Sequence, residues 1–136
     1  MDSYSEEKIR YIISALGIVC SWLFGEWDLS LKILVTMIFL DYITGVTRGY
    51  IDKQLSSIYG YKGIYKKISI LYILALAVLI DRLLGQGWIF RSLVCFWYTA
   101  NEGISILENI SSIGIPIPEK LEAALIQLKL NNKNYK

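Results

Sequence analysis

The chain has 136 residues, 54% of them hydrophobic and 19% charged, with ten glycines besides and a mean hydropathy of +0.44. A single domain of this size exposes a large share of its surface and cannot hide so much apolar material, which sets aside a soluble domain and a disordered chain alike and points to a membrane protein. The net charge of +2 is no footprint of nucleic-acid binding, and the absence of histidine removes the commonest general base and metal ligand.

The first apolar run predicts a helix over about residues 9–27, uncharged between Arg10 and Glu26. That uncharged stretch covers only about 22 Å at 1.5 Å per residue, so Arg10 and Glu26 belong near the interfaces, with Trp22 and Trp27 as anchors at one end. Lys8 and Arg10 precede the run as in a signal peptide. Glu6 and Glu7 lie there too, however, and Trp22, Leu23 and Phe24 stand where small residues would mark cleavage, so it reads as a retained helix.

A second helix is expected over 29–49, carrying Lys32, Asp41 and Arg48, and the short link Glu26–Ser30 makes it the antiparallel neighbour of the first. A third is expected over 64–84, uncharged from Ile68 to Ile80, with Lys66, Lys67 and Arg82 placed to snorkel outward. The fourth, over 88–110, is amphipathic. At 100° per residue Arg91, Cys95, Tyr98, Glu102, Ser105, Asn109 and Ser112 form one polar stripe, while Phe90, Leu93, Phe96, Trp97, Ile104, Ile106 and Leu107 take the rest. Such a helix either spans with its stripe packed inward or lies along the interface. Gly114-Ile115-Pro116-Ile117-Pro118 then breaks the helix, and a short last helix over 119–130 sets Leu121, Ala124, Leu125 and Leu128 on one side. The expectation is a single all-α domain over 1–136, a small integral membrane protein with three to four transmembrane helices and a short C-terminal amphipathic helix.

Basic residues in the links set the orientation. The stretch Thr47–Lys67 holds Arg48, Lys53, Lys62, Lys66 and Lys67 against Asp52 alone, whereas the link before the second helix holds Glu26 and Asp28 and no base. The first is expected in the cytoplasm and the second outside, with the N-terminus inside; Arg82 and Arg91 dissent mildly.

Several residues stand out. Asp41 lies well inside the second helix, where an ionised group is costly; it either serves function or pairs with Arg48 or Lys66 near the interface. Gly45 and Gly49 form a G-x-x-x-G pair that permits close helix contact or simply ends a helix. Arg91, Tyr98, Glu102, Ser105 and Asn109 are candidate pore-lining residues, or else the wet face of an interfacial helix. Cys20 and Cys95 each lie in an apolar run and read as small buried hydrophobes. The carboxylates are scattered, and Tyr59-Gly60-Tyr61-Lys62-Gly63 lacks the spacing of a phosphate loop, so no catalytic, metal or cofactor site is expected.

Three blocks resemble a known family. The first is Leu40-Asp41-Tyr42-Ile43-Thr44-Gly45. The second is Leu55-Ser56-Ser57 with Gly60, Gly63, Lys66 and Lys67. The third is Asn101-Glu102-Gly103-Ile104-Ser105-Ile106-Leu107-Glu108-Asn109 with Gly114 and Pro116-Ile117-Pro118. In this order, in a chain of this length, they are similar to bacteriophage holin family 4, the toxin-secretion/phage-lysis holins. The first helix lies outside the matching blocks. The resemblance implies a non-enzymatic protein of the bacterial cytoplasmic membrane whose partners are the lipid bilayer and copies of itself. Its homo-oligomers form lesions that release a peptidoglycan hydrolase, or in some members a secreted toxin. A proton-coupled exporter would want an acid in the uncharged middle of the first helix, which has none; a structural subunit or regulator of a larger membrane complex is the other alternative.

Overall fold

A computed structural model describes residues 3–53, 57–85 and 87–131. It is all-helical: α1 (Ser3–Phe24), α2 (Leu29–Ile51), α3 (Ser57–Leu84), α4 (Ile89–Ser112) and α5 (Glu119–Asn131). α1 begins six residues before the expected start and α3 seven, because polar residues such as Ser5, Glu6, Tyr61 and Lys62 continue a helix that hydrophobicity alone would truncate.

The ends of the elements have local causes. Gly25 closes α1 in the left-handed region at φ +78°, its N–H donating to the Ser21 carbonyl at 3.0 Å. Asp28 caps α2, its carboxylate accepting from the Leu31 N–H at 3.0 Å and the Ser30 hydroxyl at 2.9 Å. α4 is capped from another helix. Asp81 near the end of α3 accepts the backbone N–H groups of Phe90 at 2.9 Å and Arg91 at 2.8 Å, an anion on a helix N-terminus. Gly114 at φ +85° and the prolines at 116 and 118 end α4 and turn the chain into α5.

α4 is the centre of the fold, packed along α2 and α3 and touched by α5; α1 lies along α3, not along α2 as its short link suggests, and meets α4 at Phe24, whose carbonyl accepts from Arg91. Asp28 meets Arg91 and Asp41 meets Asn109, so α2 and α4 run parallel. Lys67 meets Glu102 while Asp81 meets Arg91, so α3 runs antiparallel to both. Leu31, Leu34, Ile70, Leu74 and Cys95 form the core between the two polar ends, with Phe24, Ile38, Val94 and Tyr98 packed against it.

The polarity of this bundle is inverted. Arg91 and Glu102 are each 1% exposed, Asp81 2% and Asp41 7%, while Ile18 is 71% exposed, Phe96 63%, Phe39 62% and Leu76 57%. The accessible surface is 10109 Å², against roughly 7,000 Å² for a compact soluble monomer of this mass. By length and composition α2 is able to cross a membrane.

Candidate functional site

Charged side chains gather at two levels, about 20 Å apart along α2 at 1.5 Å per residue. The lower cluster joins α2, α3 and α4. The Lys67 ammonium donates to both Asp41 Oδ2 and Glu102 Oε2. Asn109 Nδ2 donates to Asp41 Oδ1 and to Thr44 Oγ1, each at 3.2 Å, and the Thr44 hydroxyl donates to the Asp41 carbonyl at 3.1 Å. One ammonium thus serves two carboxylates in a place with little water, and each helix of the core contributes at least one member.

The upper cluster ties α4 to the α1–α2 link. Arg91 is fully buried and uses all three of its guanidinium nitrogens. Nε donates to the Phe24 carbonyl at 2.7 Å, Nη2 to the Glu26 carbonyl at 2.6 Å, and Nη1 and Nη2 to the Asp28 carboxylate at 2.9 and 3.2 Å. The Asp28 carboxyl is held well below the usual carboxylate range, first by these Arg91 hydrogen bonds and then by those of Leu31 and Ser30, which together outweigh its partial desolvation. A side chain at position 25 would bring its Cβ to 3.1 Å from Arg91 Nε and 3.3 Å from the Trp88 ring, so bare backbone at Gly25 lets the guanidinium reach the Phe24 carbonyl.

The α4 stripe therefore meets neighbouring parts of the same chain. Arg91, Glu102 and Cys95 are buried; Tyr98, Ser105 and Asn109 are half-buried. The partner of Asp41 is Lys67, not Arg48 or Lys66: Arg48 lies 3.6 Å from Asp52, one turn along α2, and Lys66 points outward. Gly45 faces α4, with Asn109 Nδ2 at 3.6 Å from where its Cβ would lie. Arg91, which dissents from the expected orientation, is ion-paired with Asp28 of the α1–α2 link. Of the other motif residues, Tyr42, Lys66 and Glu108 are exposed, and Gly49, Gly60, Gly63 and Asn101 are half-buried. Gly114, Pro116 and Pro118 form the turn and extended link before α5. Leu55 and Ser56 lie outside the described residues. Sequence reasoning missed Thr44, Asp28 and Asp81 as members of the network. Asp28-Leu29-Ser30 before an apolar run is a capping signal, and Asp81 is an acid beside a glycine-rich helix break.

A sequence profile of the bacteriophage holin family matches residues 18–130. The chain belongs to the bacteriophage holin family. A probable holin of Bacillus phage phi105 is 30% identical over 118 residues, 87% of each chain. An uncharacterised 14.9 kDa protein of Clostridium perfringens is 52% identical over 132 residues, 94% of this chain and 98% of that one. An uncharacterised Listeria monocytogenes protein is 44% identical over 122 residues, 89% of this chain and 86% of that one. No solved structure matches. Holins are typically non-enzymatic membrane proteins, and membership supports a holin-like role at the membrane. The matched region begins inside α1, so the family pattern covers both charged clusters.

Proposed function

We propose that this chain is a holin whose protomer sits in the bacterial cytoplasmic membrane as a bundle of spanning helices and oligomerises into lesions. Those lesions let a peptidoglycan hydrolase reach the cell wall. The observation that carries the reading is the inverted polarity: buried charges are ion-paired or hydrogen-bonded inside, and large apolar side chains on α1 to α4 face outward, where only lipid or another apolar surface suits them. Trp22, Trp27 and Trp88 stand exposed at the Arg91 end, and Tyr50, Tyr61 and Tyr65 at the other. From Tyr65 to Arg82 along α3 is about 25 Å, close to the ~30 Å hydrocarbon core, as aromatic belts at two interfaces require.

In this reading α2 is joined as a span by α3 and α4, and by α1 on the outside of α3. The two clusters hold the stripe closed in the protomer. A lesion offers the same side chains water instead, so opening becomes tolerable once several copies surround a common lumen. Placing Arg91 or Glu102 alone against lipid would cost roughly 2.5–3.5 kcal/mol each. The test is induced expression in a bacterial host with and without a co-expressed muralytic enzyme. The proposal requires abrupt lysis after a delay only when the enzyme is present; lysis at the same time in its absence, or none with it, refutes the role.

A further inference from the structure

The tryptophan-bearing end of the bundle carries an open depression of about 490 Å³, lined by Ser21, Gly25, Glu26, Trp27, Arg82 and Trp88. Arg82 stands against two indoles, its guanidinium carbon 5.3 Å from the Trp22 ring centre and 6.0 Å from that of Trp88. Among the described residues neither Arg82 nor Glu26 forms an ion pair, although both line the same depression. Among the described residues the buried Asp41, Glu102 and Arg91 are ion-paired, by contrast, and the buried Asp81 accepts two backbone N–H groups. The neighbouring Arg91 is already committed, because Asp28 and two backbone carbonyls engage all three of its nitrogens.

The depression thus presents one cation, one anion and aromatic faces. A purely anionic group would meet Arg82 but be repelled by Glu26, and a simple cation would meet the reverse. A group carrying both charges satisfies both. We propose that this depression binds the headgroup of a zwitterionic phospholipid with a primary ammonium, its phosphate on Arg82 and its ammonium on Glu26 and the Trp27 ring. A primary ammonium donates charge-assisted hydrogen bonds to the Glu26 carboxylate, which a quaternary one cannot. The Ser21 hydroxyl at the rim supplies a donor for a phosphate oxygen. The acyl chains have a path: Val19 and Leu79, three residues deeper on the faces of Trp22 and Arg82, are exposed and apolar. The three tryptophans put the site at headgroup depth.

This inference rests on the membrane-embedded reading, and the experiment separates the two. The full chain, Arg82→Gln, Glu26→Gln and Arg82→Lys are purified from membranes in mild detergent. Each is offered equal phosphatidylethanolamine, phosphatidylcholine and phosphatidylglycerol, and retained lipid is read by native mass spectrometry. The natural chain should retain phosphatidylethanolamine about tenfold over the other two, as one charge-assisted contact implies. Arg82→Gln should lose that retention, Arg82→Lys should keep part of it, and Glu26→Gln should level phosphatidylethanolamine with phosphatidylglycerol. Equal retention of all three lipids by the natural chain, or selectivity that survives both neutral variants, overturns the headgroup site and leaves the membrane reading standing. Protein that washes from membranes in alkaline carbonate overturns both.

Discussion

At position 67 one ammonium answers two carboxylates from two other helices, so the side chain decides whether the centre of the bundle is tolerable. Removing one partner of a buried ion pair leaves an uncompensated charge, which costs about 3–5 kcal/mol. Lys67→Met should therefore destabilise the protein by about that amount in denaturant titrations in micelles, and adding Asp41→Asn and Glu102→Gln should restore most of the loss. The Arg91 pair responds to pH through Asp28. Asp28 has its pKa lowered in the folded state, so its contribution is complete above the unfolded value of about 3.9 and disappears as pH falls through the lower folded value. The stability gap between the natural chain and Asp28→Asn should stay constant from about pH 8 to 5 and close only in stronger acid. Sequence periodicity placed Arg91, Glu102 and Asn109 on one face of α4 and marked Asp41 as costly. It set Lys67 outward with Lys66, whereas the structure turns Lys67 inward to Asp41 and Glu102, because the two lysines are adjacent and only the rotation of α3 against α2 decides which one faces the bundle.

Among the elements, α4 was the most legible, since its polar stripe follows from 3.6-residue periodicity alone, and α2 starts at the expected residue. The starts of α1 and α3 were not, because hydrophobicity fades before backbone hydrogen bonding ends. The stripe's destination was also open, since periodicity says which residues share a face and not what covers it. The structure sets it against α2, α3 and the α1–α2 link. Gly45 belongs to this contact. Its Cβ position has ordinary room beside Asn109, so Gly45→Ala should be nearly neutral. Gly45→Leu should force α2 from α4 and cost roughly 1–3 kcal/mol, measured by unfolding in micelles. Equal stability of the two variants would remove Gly45 from the α2–α4 contact.

For the whole molecule, the clustered charges and the apolar exterior follow from one requirement, that each surface match its solvent. The basic residues Arg48, Lys53, Lys62 and Lys66 share the Lys67 end and the acidic link Glu26–Asp28 lies at the tryptophan end, the arrangement on which the expected inside N-terminus depends. A reporter fused at Lys53 should stay cytoplasmic and one at Asp28 should be exported; export of the Lys53 fusion contradicts the topology. If lesions open along the stripe, single cysteines at Tyr98 and Ser105, in a chain with Cys20 and Cys95 replaced, should react with a membrane-impermeant thiol reagent only after triggering. A cysteine at the outward-facing Phe96 should stay unreactive in lipid. The most direct measurement is the membrane potential of cells followed by a voltage-sensitive dye through induction, with the amount of inserted protein measured alongside. A holin of this construction should leave the potential normal while protein accumulates and then collapse it abruptly, with growth stopping at the same moment; normal potential and growth despite abundant inserted protein would contradict the account.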